Sequence, residues 1–298
     1  MKTFALIGVA GFIAPRHLMA IRETGNMLTA ALDKFDSVGI LDSYFPRADF
    51  FTEFERFDRH LEKLRRQGKK IDFVSICSPN YLHDAHIRFA MRHQADAICE
   101  KPLVLNPWNL DALEEIERET GKKVYTIFQL RLHPAIVALK KEVDQAPPDK
   151  HYEINLNYIT SRGSWYHHSW KGDESKSGGV ATNIGIHFFD MLMWIFGKTT
   201  NSSTNILEYD HAAGILELQR ATIHWNLSIN SNHLPERVAA EGKRTYRSLR
   251  IEDREIEFSD GFTDLHTRSY QQILSGNGFG ISEARASIET VYKFRKKN

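Results

Sequence analysis

Cysteine is scarce in this 298-residue chain, with only Cys77 and Cys99 present. Two cysteines cannot build a disulfide framework or a four-ligand zinc site, and each lies in an apolar run where a small buried thiol fits. An excess of charge of one sign is also missing. Lys and Arg total 39 against 38 Asp and Glu, a formal net charge of +1, so no nucleic acid and no membrane surface is expected as a partner. No apolar run nears the roughly 20 residues that span a bilayer. Met1 to Ala10 reads as a strand entering a glycine turn rather than a cleavable signal, and a cytoplasmic location is the expectation. Internal repeats and low-complexity tracts are absent. The 14 histidines do not imply a metal centre, because His83-x-x-His86 and His167-His168 lack a carboxylate or cysteine at ligand spacing. What remains is 42% hydrophobic and 26% charged residues, a globular composition in a chain long enough for two domains.

The first half alternates strand and helix. Lys2 to Gly8 is a short apolar run ending in glycine, as a buried parallel strand would be. Gly8 to Gly11 turns the chain, and Ala14 to Thr24 has helical spacing with Leu18 and Ile21 on one face. Met27 to Leu32 is a second strand and Ile71 to Cys77 a third, stopped by Ser78-Pro79-Asn80. Tyr81 to His93 reads as a helix, Ala97 to Cys99 as a strand, Pro107 to Thr120 as a helix capped by Gly121, and Val124 to Phe128 as a strand. This rhythm implies βαβ units and a doubly wound parallel sheet. From about Tyr152 the pattern alternates residue by residue, in Tyr152 to Thr160, Gly214 to Gln219, Ala221 to Leu227 and Leu249 to Phe258. Such alternation predicts half-exposed antiparallel strands. Ile184 to Phe196 and Ser282 to Arg295 are predicted helices. The division falls in the segment Tyr125 to Pro148, giving domains 1–125 and 126–298 in an α/β chain.

A phosphate-binding turn needs glycines where a strand passes into a helix, so that a pyrophosphate reaches backbone amides. Gly8, Ala10, Gly11, Phe12 and Ile13 occupy that turn, with two glycines. Asp33 follows Gly11 by 22 residues, the spacing of an acidic group that binds a ribose 2′-hydroxyl. A carboxylate there repels a 2′-phosphate, which favours NAD over NADP.

Two further constellations carry chemistry. Ser78, Asn80 and His83, and then Glu100-Lys101-Pro102, follow predicted parallel strands, where ligands of doubly wound folds bind. A partly desolvated lysine there suits proton transfer. Downstream, Gly178-Gly179 leads to Asn183, His187 and Asp190, at i, i+4 and i+7 on one helical face. Polar groups in so apolar a segment are costly without partners.

The Glu-Lys-Pro turn, the Ser-Pro-Asn-x-x-His segment and the Gly-Gly…Asn-x-Gly-x-His-x-x-Asp helix resemble the Gfo/Idh/MocA oxidoreductases over nearly the whole chain. That resemblance implies an N-terminal Rossmann domain and a C-terminal α+β domain with a large open, mainly antiparallel sheet for substrate binding and oligomerisation. It also implies NAD-dependent hydride exchange with a sugar or cyclitol. By it Lys101 and His187 are a catalytic pair, and Asn183 stands where many members carry aspartate, which leaves it to orient a substrate hydroxyl. Gln129 and Arg131 contact the cofactor or a neighbouring subunit by the same analogy, and Ser78, Asn80, His83 and Glu100 join the cofactor contacts. Arg162 to Asp173 with Lys176 to Gly179 is similar to the UDP-N-acetyl-glucosaminuronate 3-dehydrogenases of bacterial surface-polysaccharide (O-antigen) synthesis. That implies a UDP-sugar substrate. Arg162, Lys171 and Lys176 would meet its charges, with Tyr166 and Trp170 against sugar or uracil. A homodimer or homotetramer is implied. Two other readings stand beside it: another sugar or cyclitol dehydrogenase of the family, and a non-catalytic NAD-binding sensor.

Overall fold

The computed structural model describes residues 1–256 and 264–296. These form two compact units. The first is Met1–Gln129 with a later segment ending at Ala284, and the second begins at Leu130 and takes up the chain again from Arg285.

In chain order the first unit holds β1 (Thr3–Ile7), α1 (Ala14–Glu23), β2 (Met27–Leu32), α2 (Ile40–Tyr44), β3 (Asp49–Phe51) and α3 (Phe54–Arg66). It continues with β4 (Phe73–Ile76), α4 (His83–Arg92), β5 (Asp96–Cys99), α5 (Pro107–Thr120) and β6 (Val124–Thr126). The strands lie in the order β3-β2-β1-β4-β5-β6, and every pair is parallel. The order reverses between β1 and β4, which creates a crevice beyond their carboxyl ends. β4 is buried throughout and β1 over its last four residues, as expected of strands covered on both faces. The short β3 and the densely charged α3 were not expected from the sequence pattern. α3 nevertheless turns Phe57, Leu61 and Leu64 inward at helical spacing.

The second unit contains α6 (Pro134–Gln145), β7 (Tyr152–Thr160), α7 (Ser164–His168), α8 (Glu174–Ser177) and α9 (Ile186–Phe196). Then come β8 (Thr199–Leu207), β9 (His211–Leu218), β10 (Ala221–Ser228), α10 (Glu236–Ala240), β11 (Thr245–Ile251) and β12 (Arg254–Glu255). Its sheet runs β12-β11-β7-β10-β9-β8. Only β7 and β10 pair in parallel, so the sheet is mainly antiparallel, as expected. One face is apolar: Ile154, Ile223 and Leu216 lie in register, as do Leu156, Trp225 and Gly214. A Cβ on Gly214 would stand 2.8 Å from the Trp225 ring, so glycine makes room for the indole. Phe189 of α9 and Phe294 close over Trp225, with ring centroids 5.2 and 5.0 Å away.

Several expectations are corrected. The predicted strand Leu249 to Phe258 is a hairpin of β11 and β12 turned at Glu252, which has φ of 52°; its residues from 257 on lie outside the described ones. The strand expected over Val124 to Phe128 ends at Thr126, whose amide bonds Phe279 O at 2.7 Å. The helix predicted from Ile184 opens instead with a π turn over Ala181–Gly185. The helical stretch Glu174–Phe196 is 23 residues long; its apolar 18-residue window has a mean hydropathy of 1.3 and is 78% buried, so it serves as a core helix despite its bilayer-like length. Finally, α11 (Leu265–Leu274) groups with the first unit rather than with the second. Tyr270 and Ile273 join Phe4, Leu6, Leu18 and Ile21 in one core. The last helix, α12 (Ile281–Arg295), matches its expected span to within a residue.

Candidate active site

β1, β4 and β5 are parallel neighbours, so their carboxyl ends share one edge. Gly8 follows β1 with φ of +90°, and a Cβ there would stand 2.7 Å from the Cys77 carbonyl carbon and 2.8 Å from Ser78 N. Both the backbone angle and the close approach therefore require glycine. A Cβ on Gly11 would lie 3.0 Å from Gly8 O. Asp33, beyond β2, accepts the Ala10 amide at 3.0 Å through Oδ2 and the Phe35 amide at 3.0 Å through Oδ1. A carboxylate has about four lone-pair sites, so Asp33 retains acceptor capacity for a hydroxyl. α1 has Ile13 at its N-cap, with no side-chain cap bond, and Pro15 in its first turn. A narrow glycine turn, an uncapped helix start and an acidic side chain fit the pyrophosphate and ribose of NAD. Phe12 is 96% exposed at the tip of the turn.

Ser78 and Asn80 are buried just after β4, and Ser78 Oγ lies 2.8 Å from His86 Nδ1. Burial pushes His86 down to about 4, so this ring is neutral. His83 is fully buried; its Nδ1 is 2.7 Å from Pro102 O and its Nε2 2.9 Å from Ser78 O. It therefore ties the Ser-Pro-Asn turn to the Glu-Lys-Pro turn, whereas the sequence reading had it contact cofactor. Glu100 likewise turns inward, its Oε1 accepting from His17 and His266 at 3.0 Å each. Lys101 beside it is half-buried. Gln129 is half-buried three residues after β6. Arg131, also expected at the cofactor, is buried in the second unit and grips Asp190 with two bonds, Nε to Oδ2 at 2.8 Å and Nη2 to Oδ1 at 2.6 Å. Neither His17 nor His266 was legible as a functional histidine, since each meets Glu100 only through the fold.

In the second unit, the residues from Val180 to Met193 are buried except Asn183 and His187, which are half-exposed. Asn183 lies in the π turn and His187 one residue into α9. A π turn is a frequent mark of functional sites, and here it positions the two polar residues that the apolar segment leaves accessible. Asn183 Nδ2 donates to Tyr166 Oη at 2.8 Å. Tyr166 is 3% exposed and packs with Ile184 and Ile229. Burial raises its phenol, against the opposing influence of Asn183 and of Arg162. Lys171 stands 4.5 Å from the Trp170 ring centroid and 5.8 Å from that of Trp165; burial and then Arg162 lower its ammonium. Arg162, Tyr166, Trp170, Lys171 and Asn183 thus form one neighbourhood. Lys176 instead pairs with Asp173 at 2.9 Å. A cluster of two cations, aromatic rings and a polar helix start can bind an anionic, ring-bearing ligand. His17, Glu100 and His266 also offer metal-ligating atoms within 4.8 Å of one another, a grouping that spacing rules did not reveal.

Two family models match this chain. The first, described as an oxidoreductase family with an NAD-binding Rossmann fold, covers residues 2–128, and its C-terminal α/β domain covers 150–231. The chain is 49% identical to the WlbA (WbpB) dehydrogenase of Thermus thermophilus, with a TM-score of 0.96, covering 100% of this chain and 96% of the other. That protein's crystal structures hold NAD with UDP-GlcNAcA and NAD with α-ketoglutarate. Among curated relatives, inositol 2-dehydrogenase of Rhizobium meliloti is 28% identical over 225 residues, 65% of this chain and 62% of that protein. The putative oxidoreductase YteT of Bacillus subtilis is 26% identical over 206 residues, 66% of this chain and 47% of that protein. The matches thus span about half to three fifths of these curated relatives' length. From the strand order, the glycine turn and these likenesses together, the chain belongs to the Gfo/Idh/MocA oxidoreductase family.

Proposed function

We propose that this protein oxidises the 3-hydroxyl of a UDP-N-acetylamino uronic acid, UDP-GlcNAcA, with NAD. The observation that carries this is the 49% identity, over the whole chain, to a dehydrogenase whose crystal holds NAD and UDP-GlcNAcA. The local chemistry supports it. The turn from Gly8 to Ile13 and Asp33 would hold the dinucleotide, and NAD when bound supplies the hydride acceptor. His187 takes the hydroxyl proton, since imidazole ordinarily titrates near neutrality. Lys101 places a cation beside the oxygen on which negative charge develops, an interaction strongest in the transition state. Asn183 orients a neighbouring hydroxyl and is itself held by Tyr166. Arg162 and Lys171 balance diphosphate or carboxylate, and Trp170 offers a ring face.

Purified protein given NAD and UDP-GlcNAcA should form NADH, while myo-inositol and free hexoses should not support comparable rates. Faster turnover of inositol would instead favour a cyclitol dehydrogenase. Removing the Asn183 partner in Tyr166→Phe should raise KM for the UDP-sugar about fivefold, the equivalent of one hydrogen bond worth about 1 kcal/mol. Its NAD affinity should not change. The Thermus protein's α-ketoglutarate complex supports a second half-reaction, in which hydride and a proton pass to the keto acid and NAD is regenerated as a 2-hydroxy acid forms. Resemblance further supports a place in bacterial surface-polysaccharide synthesis, as a homodimer or homotetramer.

A further inference from the structure

The first unit encloses a row of polar groups for which the proposed chemistry has no use. Ser75 Oγ is 2.6 Å from Tyr270 Oη, and Tyr270 Oη is 2.7 Å from His17 Nδ1. His17 Nε2 and His266 Nε2 then converge on Glu100 Oε1, each at 3.0 Å. All five residues are buried, the most exposed being Glu100 at 7%. They arrive from α1, β4, the end of β5 and α11. Separations of 2.6 to 3.0 Å between these donors and acceptors are those of hydrogen bonds. Both nitrogens of His17 have protein partners, Tyr270 and Glu100, so the groups form one continuous hydrogen-bonded row.

The protons can be assigned. Burial lowers His17, against the raising influence of Glu100, so its ring is neutral; Nε2–H donates to Glu100 and Nδ1 accepts from the Tyr270 hydroxyl. Burial holds Tyr270 well above its usual value, so the phenol keeps its proton and accepts one from Ser75. Burial would raise the Glu100 carboxyl, but the bonds from His17 and His266 together outweigh it and hold it well below the carboxylate range. Glu100 is thus a fixed buried anion. Its other oxygen faces the Lys101 amide at 3.3 Å. Besides the two histidines, it feels Cys99 on β5, Cys77 beyond β4 and His83 on α4.

We propose that Glu100 is a positioning residue for Lys101, a carboxylate clamped by histidines of α1 and α11 that fixes the turn and sets the charge beneath the lysine. This rests on the reading of Lys101 as a catalytic residue. Three variants and a control test it: Glu100→Gln, Glu100→Asp, His266→Leu and Lys101→Met. Glu100→Gln keeps the acceptor for both histidines but removes the charge. It should lower kcat about 10- to 100-fold, leave NAD affinity within about threefold, and move the basic limb of the kcat profile about one pH unit lower. Glu100→Asp keeps the charge and should restore the limb to its parental position. His266→Leu removes one donor to the carboxylate and should lower kcat about fivefold, the equivalent of one hydrogen bond. Parental turnover in Lys101→Met would overturn the reading of the lysine itself. With Lys101→Met inactive, parental kcat and pH profile in Glu100→Gln would overturn the positioning role alone. Equal losses in both Glu100 variants with unshifted limbs would mark simple packing and also overturn it. Should Glu100→Gln fail to fold, parental kcat in His266→Leu decides against the proposal. So does a stoichiometric transition metal in the purified wild-type protein that is lost from Glu100→Asp.

Discussion

Lys101→Met should lower kcat by about 10³-fold while NAD affinity, measured by titration, stays within about threefold of the parent. Methionine keeps the half-buried aliphatic stem of the lysine and removes only the ammonium, so the turn between Cys99 and Leu103 should hold its shape. The loss falls on kcat because the cation contributes where negative charge develops on the substrate oxygen, and contributes less in the ground state. Retained turnover would exclude the proposed role. The glycine turn and Asp33 are separate from the lysine in sequence, which is why cofactor affinity serves as the internal control. Loss of NAD binding in the variant would show that Lys101 holds the cofactor instead.

Arg131→Met should destabilise the second unit by about 3–5 kcal/mol. The guanidinium and Asp190 bond twice at 2.8 and 2.6 Å with side-chain exposures of 8% and 2%. Removing the arginine leaves a carboxylate with its principal counter-charge gone in a place water does not reach. Pairing it with Asp190→Leu should recover much of the loss, since replacing both partners of a buried pair by apolar groups is often neutral or favourable. Denaturant or thermal unfolding of the four members of the cycle measures this. If the single variant loses less than about 1 kcal/mol, the pair is not the anchor of α9 that the geometry implies. Because α9 also carries His187, three residues before Asp190, the single variant should lose activity as well.

Both residues were visible in the sequence, but for different reasons. Lys101 follows a short apolar strand and precedes a proline, so its place at a strand's carboxyl end could be read from local pattern. Arg131 looked equally like a cofactor ligand, and only its approach to a residue 59 positions away reveals a structural ion pair. The same holds for His83, which bridges carbonyls of two turns, and for Glu100. The parallel strands β1, β2, β4 and β5 were legible because burial on both faces demands continuous apolar runs. β7, β9 and β10 were legible because one buried face demands alternation. β3, of three residues, is too short to show a period, and β8, polar for most of its length, shows none. α11 carries His266, Thr267 and Ser269 toward the interior, which blurs the apolar stripe that would have marked it.

Taken alone, the amino-acid sequence determined the two sheet types, the glycine turn with its acidic partner, the lysine turn and the Asn–His helix, since each depends on periodicity or on spacing within one element. Tertiary structure decided the rest. It brought α11 back into the first unit, placed a π turn under Asn183 and chose which charged groups face inward. His266 and His17 reach one carboxylate oxygen across 166 and 83 residues of chain. A hydrogen bond depends on distance and direction in space, and a linear order of residues encodes neither until packing has brought the strands and helices together.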